Sequence, residues 1–314
     1  MQQSLFQQSK LRNLKTEPFL KWAGGKRQLI DQMKSFFPPQ LENSEISTYI
    51  EPFVGSGAVF FYLNSKYSFK NKVIADTNPE LILAYKVIKS NVEKLIGVLS
   101  GIEKEYKSLT KENQKDYYYE TRRKYNSDRS HINYEIFNSD WIERAAELIY
   151  LNRTCFNGLY RVNAAGDFNV PQGSYSNPTI CDAENLLAVS EDLTEVQILQ
   201  GDFSRTKQFV DEKTFVYFDP PYRPLSKTAN FNSYSKEVFG DAEQLRLADY
   251  FAQLDQLGAK LMLSNSDPTN TDPNDLFFEK AYGSFNIVKL LASRLLNSKV
   301  EARGQIREIL VMNY

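Results

Sequence analysis

The sequence predicts an α/β fold built on an open, doubly wound parallel sheet, and three stretches predict it. Phe215-Val216-Tyr217-Phe218 is an apolar, β-branched and aromatic run of the kind that forms a strand buried on both faces. It stops at Asp219-Pro220-Pro221-Tyr222, where two prolines fix φ, carry no N–H and turn the chain out of the sheet. The second stretch, Thr48 to Val54 followed by Gly55-Ser56-Gly57 and the apolar Ala58 to Leu63, reads as strand, glycine turn and helix, the opening unit of such a sheet. The third, Lys72-Val73-Ile74-Ala75-Asp76, is a second strand ending in a carboxylate.

The chain has 314 residues, 25% charged and 42% hydrophobic, which suits a globular protein with one main core and an inserted or appended second domain. A net charge of -1 does not announce nucleic acid, so a nucleic-acid binder of this composition would have to gather its basic residues on one face. Two cysteines, Cys155 and Cys181, have no metal-ligand spacing, and the single histidine, His131, excludes a multi-histidine metal centre. No apolar run reaches membrane-spanning length, and Met1 to Lys15 lacks a signal-peptide core, so a cytoplasmic protein is expected.

Taken in order, the first ten or so residues, rich in Gln and Ser, read as a loose arm. From Phe19 the segment Lys21-Trp22-Ala23-Gly24-Gly25-Lys26 leads into Leu29, Ile30, Met33, Phe36 and Phe37, an apolar stripe on a helix that Pro38 and Pro39 stop. Its Gly-Gly-Lys turn has the outline of an anion site, without the spacing of a Walker loop. The glycine turn at Gly55 to Gly57 also lacks the full dinucleotide fingerprint, which argues against a hydride-transfer enzyme. Asp76, at the end of the second strand, is suited to ribose hydroxyls, or to a plain cap for the helix starting at Pro79.

From about Asn91 to Tyr134 the texture turns to Lys, Glu and Tyr, with Arg122, Arg123, Lys124 and Arg129, and predicts a helical insertion. Trp141 to Tyr150 is an amphipathic helix. It runs into Asn152 to Asn163 and Gly166 to Tyr175, glycine-punctuated stretches of Asn, Arg, Tyr and Leu that read as a β-hairpin or loop presenting side chains to base edges. Sheet texture returns with Val196 to Leu199, then Gly201-Asp202-Phe203, an acid and an aromatic able to hold an adenine ring. After Tyr222, Arg223 to Ser235 is a polar loop, Asp241 to Leu257 an amphipathic helix, and Lys260 to Ser264, Ile287 to Leu291 and Ile306 to Asn313 are the closing strands.

The chemistry concentrates at the end of the Phe215 strand. A carboxylate and a proline carbonyl are both acceptors, matched to the two hydrogens of an exocyclic amine, while the Tyr222 ring can stack on the base that carries it. Termination of a strand is the plainer reading of the same residues.

Six segments in this order resemble the Dam-like family of DNA adenine-N6 methyltransferases, the class whose recognition domain lies between the cofactor and catalytic motifs. They are Lys21-Trp22-Ala23-Gly24-Gly25-Lys26, Glu51-Pro52-Phe53-Val54-Gly55-Ser56-Gly57, Asp76-Thr77-Asn78, Phe156-Asn157-Gly158-Leu159-Tyr160-Arg161, Gly201-Asp202-Phe203 and Asp219-Pro220-Pro221-Tyr222. The resemblance implies a Rossmann-like methyltransferase sheet with an inserted, mainly helical target-recognition domain carrying a β-hairpin. It implies S-adenosylmethionine as cofactor, no metal, and double-stranded DNA as partner, with a cognate restriction endonuclease acting separately or none. Residues 1–80 and 185–314 would form the catalytic domain and 81–184 the recognition domain.

In this resemblance Asp219, Pro220 and Tyr222 are the catalytic residues. Trp22, Ala23, Gly24, Lys26, Glu51, Asp76 and Asp219 fall where the family lines its cofactor pocket, Phe53 with Gly55 to Gly57 where backbone meets the methionine part, and Asp202 with Phe203 at the adenine. Lys21, Asn157, Leu159, Arg161, Pro171 and Tyr175 fall where it contacts DNA. Family members of this type commonly methylate the adenine of GATC after flipping it from the duplex, and Leu225-Ser226 also looks like that group. The polar Ser100 to Tyr134 region and Arg223 depart from the pattern. An N-methyltransferase of RNA or of protein glutamine is the rival reading, disfavoured because those relatives usually carry Asn at the place of Asp219 or lack the Asn157 to Arg161 segment.

Overall fold

The computed structural model of the chain describes residues 16–22, 24–223, 239–293 and 305–314. The expected N-terminal arm, Ala23, the loop from Pro224 to Ser235 and the Leu225-Ser226 pair lie outside the described residues.

The described residues form a seven-stranded sheet of β1 (Thr48–Glu51), β2 (Asn71–Asp76), β3 (Val196–Gln200), β4 (Thr214–Phe218), β5 (Lys260–Ser266), β6 (Asn286–Ser293) and β7 (Gln305–Met312), in the order β3-β2-β1-β4-β5-β7-β6. The strands from β3 through β5 run parallel, and β7 lies antiparallel between β5 and β6. This is the doubly wound arrangement that the sequence predicts. The all-apolar β4 alternates across the sheet: Phe215 and Tyr217 enter one core, Val216 and Phe218 the other. Each such side chain contributes about 1.5–3 kcal/mol on burial, so a one-residue slip of register would reverse both faces at once.

Helices cover both faces. The predicted helix after Lys26 is broken into a 3₁₀ turn at Lys26–Gln28, the short α1 (Ile30–Met33) and a second 3₁₀ turn at Lys34–Phe36. The apolar stripe is kept, with Leu29, Ile30, Met33 and Phe37 buried, but a segment this short between glycines and prolines does not propagate as one α-helix. Helix α2 (Ala58–Asn64) follows the glycine turn. Helix α3 (Pro79–Ser108) is capped by the Asn78 side chain, which accepts from the N–H groups of Glu80 and Leu81, with Pro79 at the first helical position.

Between β2 and β3 the chain makes α3, α4 (Lys111–Asp128), α5 (Asp140–Thr154) and α6 (Ala183–Asp192). Residue 81 lies in the first turn of α3, whose early turns pack against the sheet; the helix bends at Asn91, which has φ −142° and ψ 31°. One buried ion pair stitches the insertion to that helix. Arg144 of α5 donates from Nε to Glu80 Oε2 at 2.9 Å and from Nη2 to Oε1, and Tyr134 donates to the same Oε1 at 2.7 Å. Unpairing either partner of such a buried ion pair would cost about 3–5 kcal/mol.

The predicted β-hairpin is a correction. Between Cys155 and Gln172 the ladder reduces to two isolated antiparallel bridges, Cys155 with Gln172 and Val162 with Phe168. Asn157, Gly158 and Gly166 adopt left-handed φ of 56°, 64° and 88°, and Asn163 Oδ1 takes the N–H of Asp167, so local turns displace strand pairing. Helix α7 (Asp241–Asp255) and the short α8 (Phe277–Ala281) complete the fold. Among the described residues no helix is long and apolar enough to cross a membrane.

Candidate active site

Strand β1 sits between β2 and β4, so the chain winds outward on one side and returns on the other, opening a crevice at the carboxyl ends of these strands. Each of the first four strands delivers an acid there: Glu51 closes β1, Asp76 closes β2, Asp202 follows β3 and Asp219 follows β4.

Asp219 is the centre of a paired cluster. Its Oδ1 lies 2.7 Å from Lys26 Nζ and accepts from Ser264 Oγ at 3.2 Å. Lys26, 2% exposed, also donates to the Tyr222 hydroxyl oxygen at 2.9 Å and to the Gly24 carbonyl at 3.2 Å, and the Tyr222 hydroxyl donates to Glu308 Oε1 at 2.7 Å. The Lys26 ammonium is therefore taken by the chain's own carboxylate, while the Gly25 N–H donates to the Trp22 carbonyl. Burial pushes the Asp219 carboxyl above its usual range, and the Lys26 ammonium opposes that rise. For Lys26, burial favours the neutral amine, but Asp219, Tyr222 and Glu308 outweigh it and hold the group charged, well above the usual lysine range.

The two prolines present different carbonyls. Gln244 of α7, fully buried, donates to the Pro221 carbonyl at 3.0 Å, whereas no donor among the described residues reaches the Pro220 carbonyl or Asp219 Oδ2. Two acceptors without a donor among the described residues thus precede Tyr222 in the chain.

On the other side of the crevice, Asp76 fixes the glycine turn: its Oδ2 accepts from the N–H of Gly55 at 3.1 Å and its Oδ1 from that of Asn78 at 2.9 Å. Gly55 and Gly57 take φ of 48° and 73°, and a Cβ on Gly57 would fall 2.7 Å from the Tyr85 hydroxyl, so the turn requires glycine there. Trp22 lies on Gly55 and stacks on Tyr160 at 5.0 Å between centroids, joining the Gly55 turn to the segment around Tyr160. Glu51 is buried against the Tyr49 hydroxyl, 2.8 Å from Oε2, and burial raises its pKa well above the carboxylate range. Phe53 packs against Phe203 at 5.5 Å.

Asp202 and Phe203 are less available than the sequence implies. Arg246 of α7 donates to both Asp202 oxygens, at 3.0 and 2.6 Å, pulling that carboxyl to about 2, and its guanidinium covers the Phe203 ring at 4.1 Å. Phe203 itself is 2% exposed, part of the core beneath the crevice. A crevice lined by these acids, with its ammonium already paired, suits a ligand rich in N–H and O–H donors.

Lys21 and the residues expected to contact DNA lie on irregular backbone. Lys21 Nζ donates to the Tyr175 hydroxyl at 3.4 Å, Arg161 Nε donates to Asn169 Oδ1 at 2.8 Å, and the Pro171 carbonyl accepts from the N–H of Phe156 at 2.8 Å. Asn157 and Pro171 are exposed, Leu159 partly so. Buried Asn152 ties the Gly158 turn to Lys21, since its amide accepts from the Lys21 N–H and donates to the Lys21 and Gly158 carbonyls, at 2.9, 2.9 and 3.0 Å. Much of the basic run anticipated in the insertion is committed internally: Arg122 to the Val170 carbonyl, Lys124 to Glu147 and Arg129 to the Ala165 carbonyl.

Sequence reasoning missed Glu308, Ser264, Gln244 and Asn152. Glu308 reads as a solvated charge at a strand end. The signal that could have found the others is a polar residue on the buried face of an apolar periodic segment.

The profile of the D12 class N6 adenine-specific DNA methyltransferases matches residues 22–294. The chain is 49% identical to the Type II methyltransferase M.MjaIII of Methanocaldococcus jannaschii over 96% of its length and 100% of that protein's. It is 41% identical to the Type II methyltransferase M1.LlaDCHI of Lactococcus lactis subsp. cremoris, covering 99% of both chains. It is 33% identical to the DNA adenine methylase of Haemophilus influenzae, over 95% of its own length and 94% of that protein's. An activity of this kind implies S-adenosylmethionine as the methyl donor and DNA as the acceptor. From the profile, the relatives and a mostly parallel sheet carrying Asp219-Pro220-Pro221-Tyr222 at its switch point, the chain belongs to the D12 class of N6 adenine-specific DNA methyltransferases.

Proposed function

We propose that this enzyme methylates N6 of an adenine flipped out of duplex DNA, in the sequence GATC, with Asp219 Oδ2 and the Pro220 carbonyl accepting from the amine and Tyr222 stacking on the base. The observation that carries the reading is that Asp219 Oδ2 and the Pro220 carbonyl take no donor among the described residues, while the neighbouring Asp219 Oδ1 and Pro221 carbonyl are occupied. Two acceptors in fixed positions favour a pyramidal nitrogen whose lone pair is withdrawn from the ring, a state approached only in the transition state. The proton that N6 must lose has a carboxylate at hand whose burial favours protonation.

The acids of the crevice fit S-adenosylmethionine: Asp76 for ribose hydroxyls, Asp202 for the adenine amine, with Trp22, Gly24, Lys26, Glu51, Phe53, Gly55 and Gly57 around the pocket and Phe203 beneath it. When bound, that cofactor supplies a methyl already activated on a sulfonium, so no metal is needed. Residues 1–80 and 185–314 act as the catalytic domain and 81–184 as the target-recognition domain; Asn157, Leu159, Arg161, Pro171 and Tyr175 of the latter face the duplex together with Lys21 of the catalytic domain. The names of the two more similar relatives support a place in a restriction-modification system, with a separate cognate endonuclease; substrate DNA of this kind lies in the cytoplasm.

The test is incorporation of label from radiolabelled S-adenosylmethionine into duplexes that contain or lack GATC, and into RNA and protein. Label confined to the GATC duplex is expected. Equal incorporation without GATC, or transfer to RNA or protein alone, would overturn the reading.

A further inference from the structure

We propose that Glu308 is a positioning residue for methyl transfer, holding the Tyr222 ring through its hydroxyl so that Asp219 keeps one oxygen open for the target amine. The inference rests on the assignment of Asp219, Pro220 and Tyr222 to the flipped adenine. Glu308 is 6% exposed and stands on β7, paired with Ser266 of β5 and Leu290 of β6, a rigid platform rather than a loop. The antiparallel course of β7 brings it to the carboxyl end of β5, on the face it shares with Leu310 and Met312.

The hydrogen bonds around it run in one chain. Lys26 Nζ donates to the Tyr222 oxygen at 2.9 Å, and the Tyr222 hydroxyl donates to Glu308 Oε1 at 2.7 Å. The same ammonium lies 2.7 Å from Asp219 Oδ1. A phenol has one proton to give, and Glu308 receives it. Glu308 and Asp219 are the two carboxylates that act on the Tyr222 hydroxyl, so without Glu308 that proton turns to Asp219, whose second oxygen the amine needs. Glu308 Oε2 is buried with no donor among the described residues, 3.6 Å from Lys26 Nζ. An undonated buried carboxylate oxygen costs stability, so a residue kept for stability alone would be better satisfied.

The experiment uses the full chain, duplex DNA with the target site and labelled S-adenosylmethionine, and measures kcat, KM for the donor, and the emission of a fluorescent adenine analogue at the target position. Glu308→Ala is expected to lower kcat by ~10- to 100-fold, with donor KM unchanged and the flipped-base signal reduced. Glu308→Gln, whose amide oxygen still accepts from Tyr222, should recover most of that loss. In a Tyr222→Phe background Glu308→Ala should cost no more than about 2-fold, because the hydroxyl through which it acts is gone. Wild-type kcat in Glu308→Ala, a loss in Glu308→Gln as large as in Glu308→Ala, or full additivity with Tyr222→Phe would each overturn the proposal. If Glu308→Ala does not fold, Tyr222→Phe alone decides, since wild-type kcat there removes the link. Asp219→Ala separates the two layers: turnover retained in that variant defeats the underlying assignment, whereas its loss beside a wild-type Glu308→Ala defeats only the role of Glu308.

Discussion

The crevice at the strand ends and the surface around Asn157 to Tyr175 are built by opposite means. In the crevice, Asp219, Lys26, Tyr222 and Glu308 come from regular elements or their immediate ends and are largely satisfied by one another. On the proposed recognition surface, the backbone is irregular, two isolated bridges replace a ladder, and Asn157 and Pro171 project into solvent. Chemistry requires atoms fixed to fractions of an ångström, which buried strands supply. Reading a base edge requires side chains free to meet it, which a tethered loop supplies. Asn152, the Trp22–Tyr160 stack and the Lys21–Tyr175 contact are among those that join the two.

Breaking the crevice should have the largest effect. Asp219→Ala is expected to lower the single-turnover methylation rate by ~10²- to 10³-fold or more while leaving duplex affinity near wild type, measured by rapid quench and by fluorescence anisotropy. A rate within a few-fold of wild type would mean that the crevice is not the seat of the chemistry.

Lys26→Met sharpens the same side. Asp219 must be ionised to accept from the amine, so activity falls as pH drops through its pKa, which burial has raised and Lys26 holds down. Removing the ammonium lets the carboxyl rise further, and the acid limb of the pH–rate profile should move to higher pH. A limb that stays in place, or moves down, would separate Lys26 from Asp219.

Cutting the tether should cost less. Asn152→Ala leaves the Lys21 N–H and the Lys21 and Gly158 carbonyls without their partner, a loss of about 1–3 kcal/mol in stability by thermal melting. It should also relax target preference more than it slows transfer on the correct site; an equal fall in both would mean that the two regions are not separable. On the recognition surface itself, Arg161→Ala should cost about 1–3 kcal/mol of discrimination at one base pair and leave the rate on saturating target DNA nearly unchanged. Competition between duplexes that differ at single positions measures it, and uniform weakening at every position would reassign Arg161 to the phosphates.

The same contrast explains what could be read in the sequence. The strands declared themselves because Phe215 to Phe218 and Lys72 to Asp76 are short apolar runs bounded by abrupt chain breakers, and the acids at their ends follow from that register. Interactions between distant segments were illegible. Nothing in Arg307-Glu308-Ile309 announces that β7 folds back to set Glu308 against Tyr222, 86 residues away. Arg246 likewise sits on a solvated-looking helix face, yet it occupies Asp202. The glycine-punctuated stretches allow a β-hairpin or a loop, and the left-handed Asn157 and Gly158 bend the chain away from a continuous ladder.

The most direct measurement of the central claim is a crystal structure of the enzyme with its duplex and a non-reactive analogue of the methyl donor. The account predicts the target adenine outside the helix, stacked on Tyr222, with N6 within about 2.6–3.2 Å of both Asp219 Oδ2 and the Pro220 carbonyl. An adenine still paired in the duplex, or an extruded base whose amine meets neither acceptor, would contradict it.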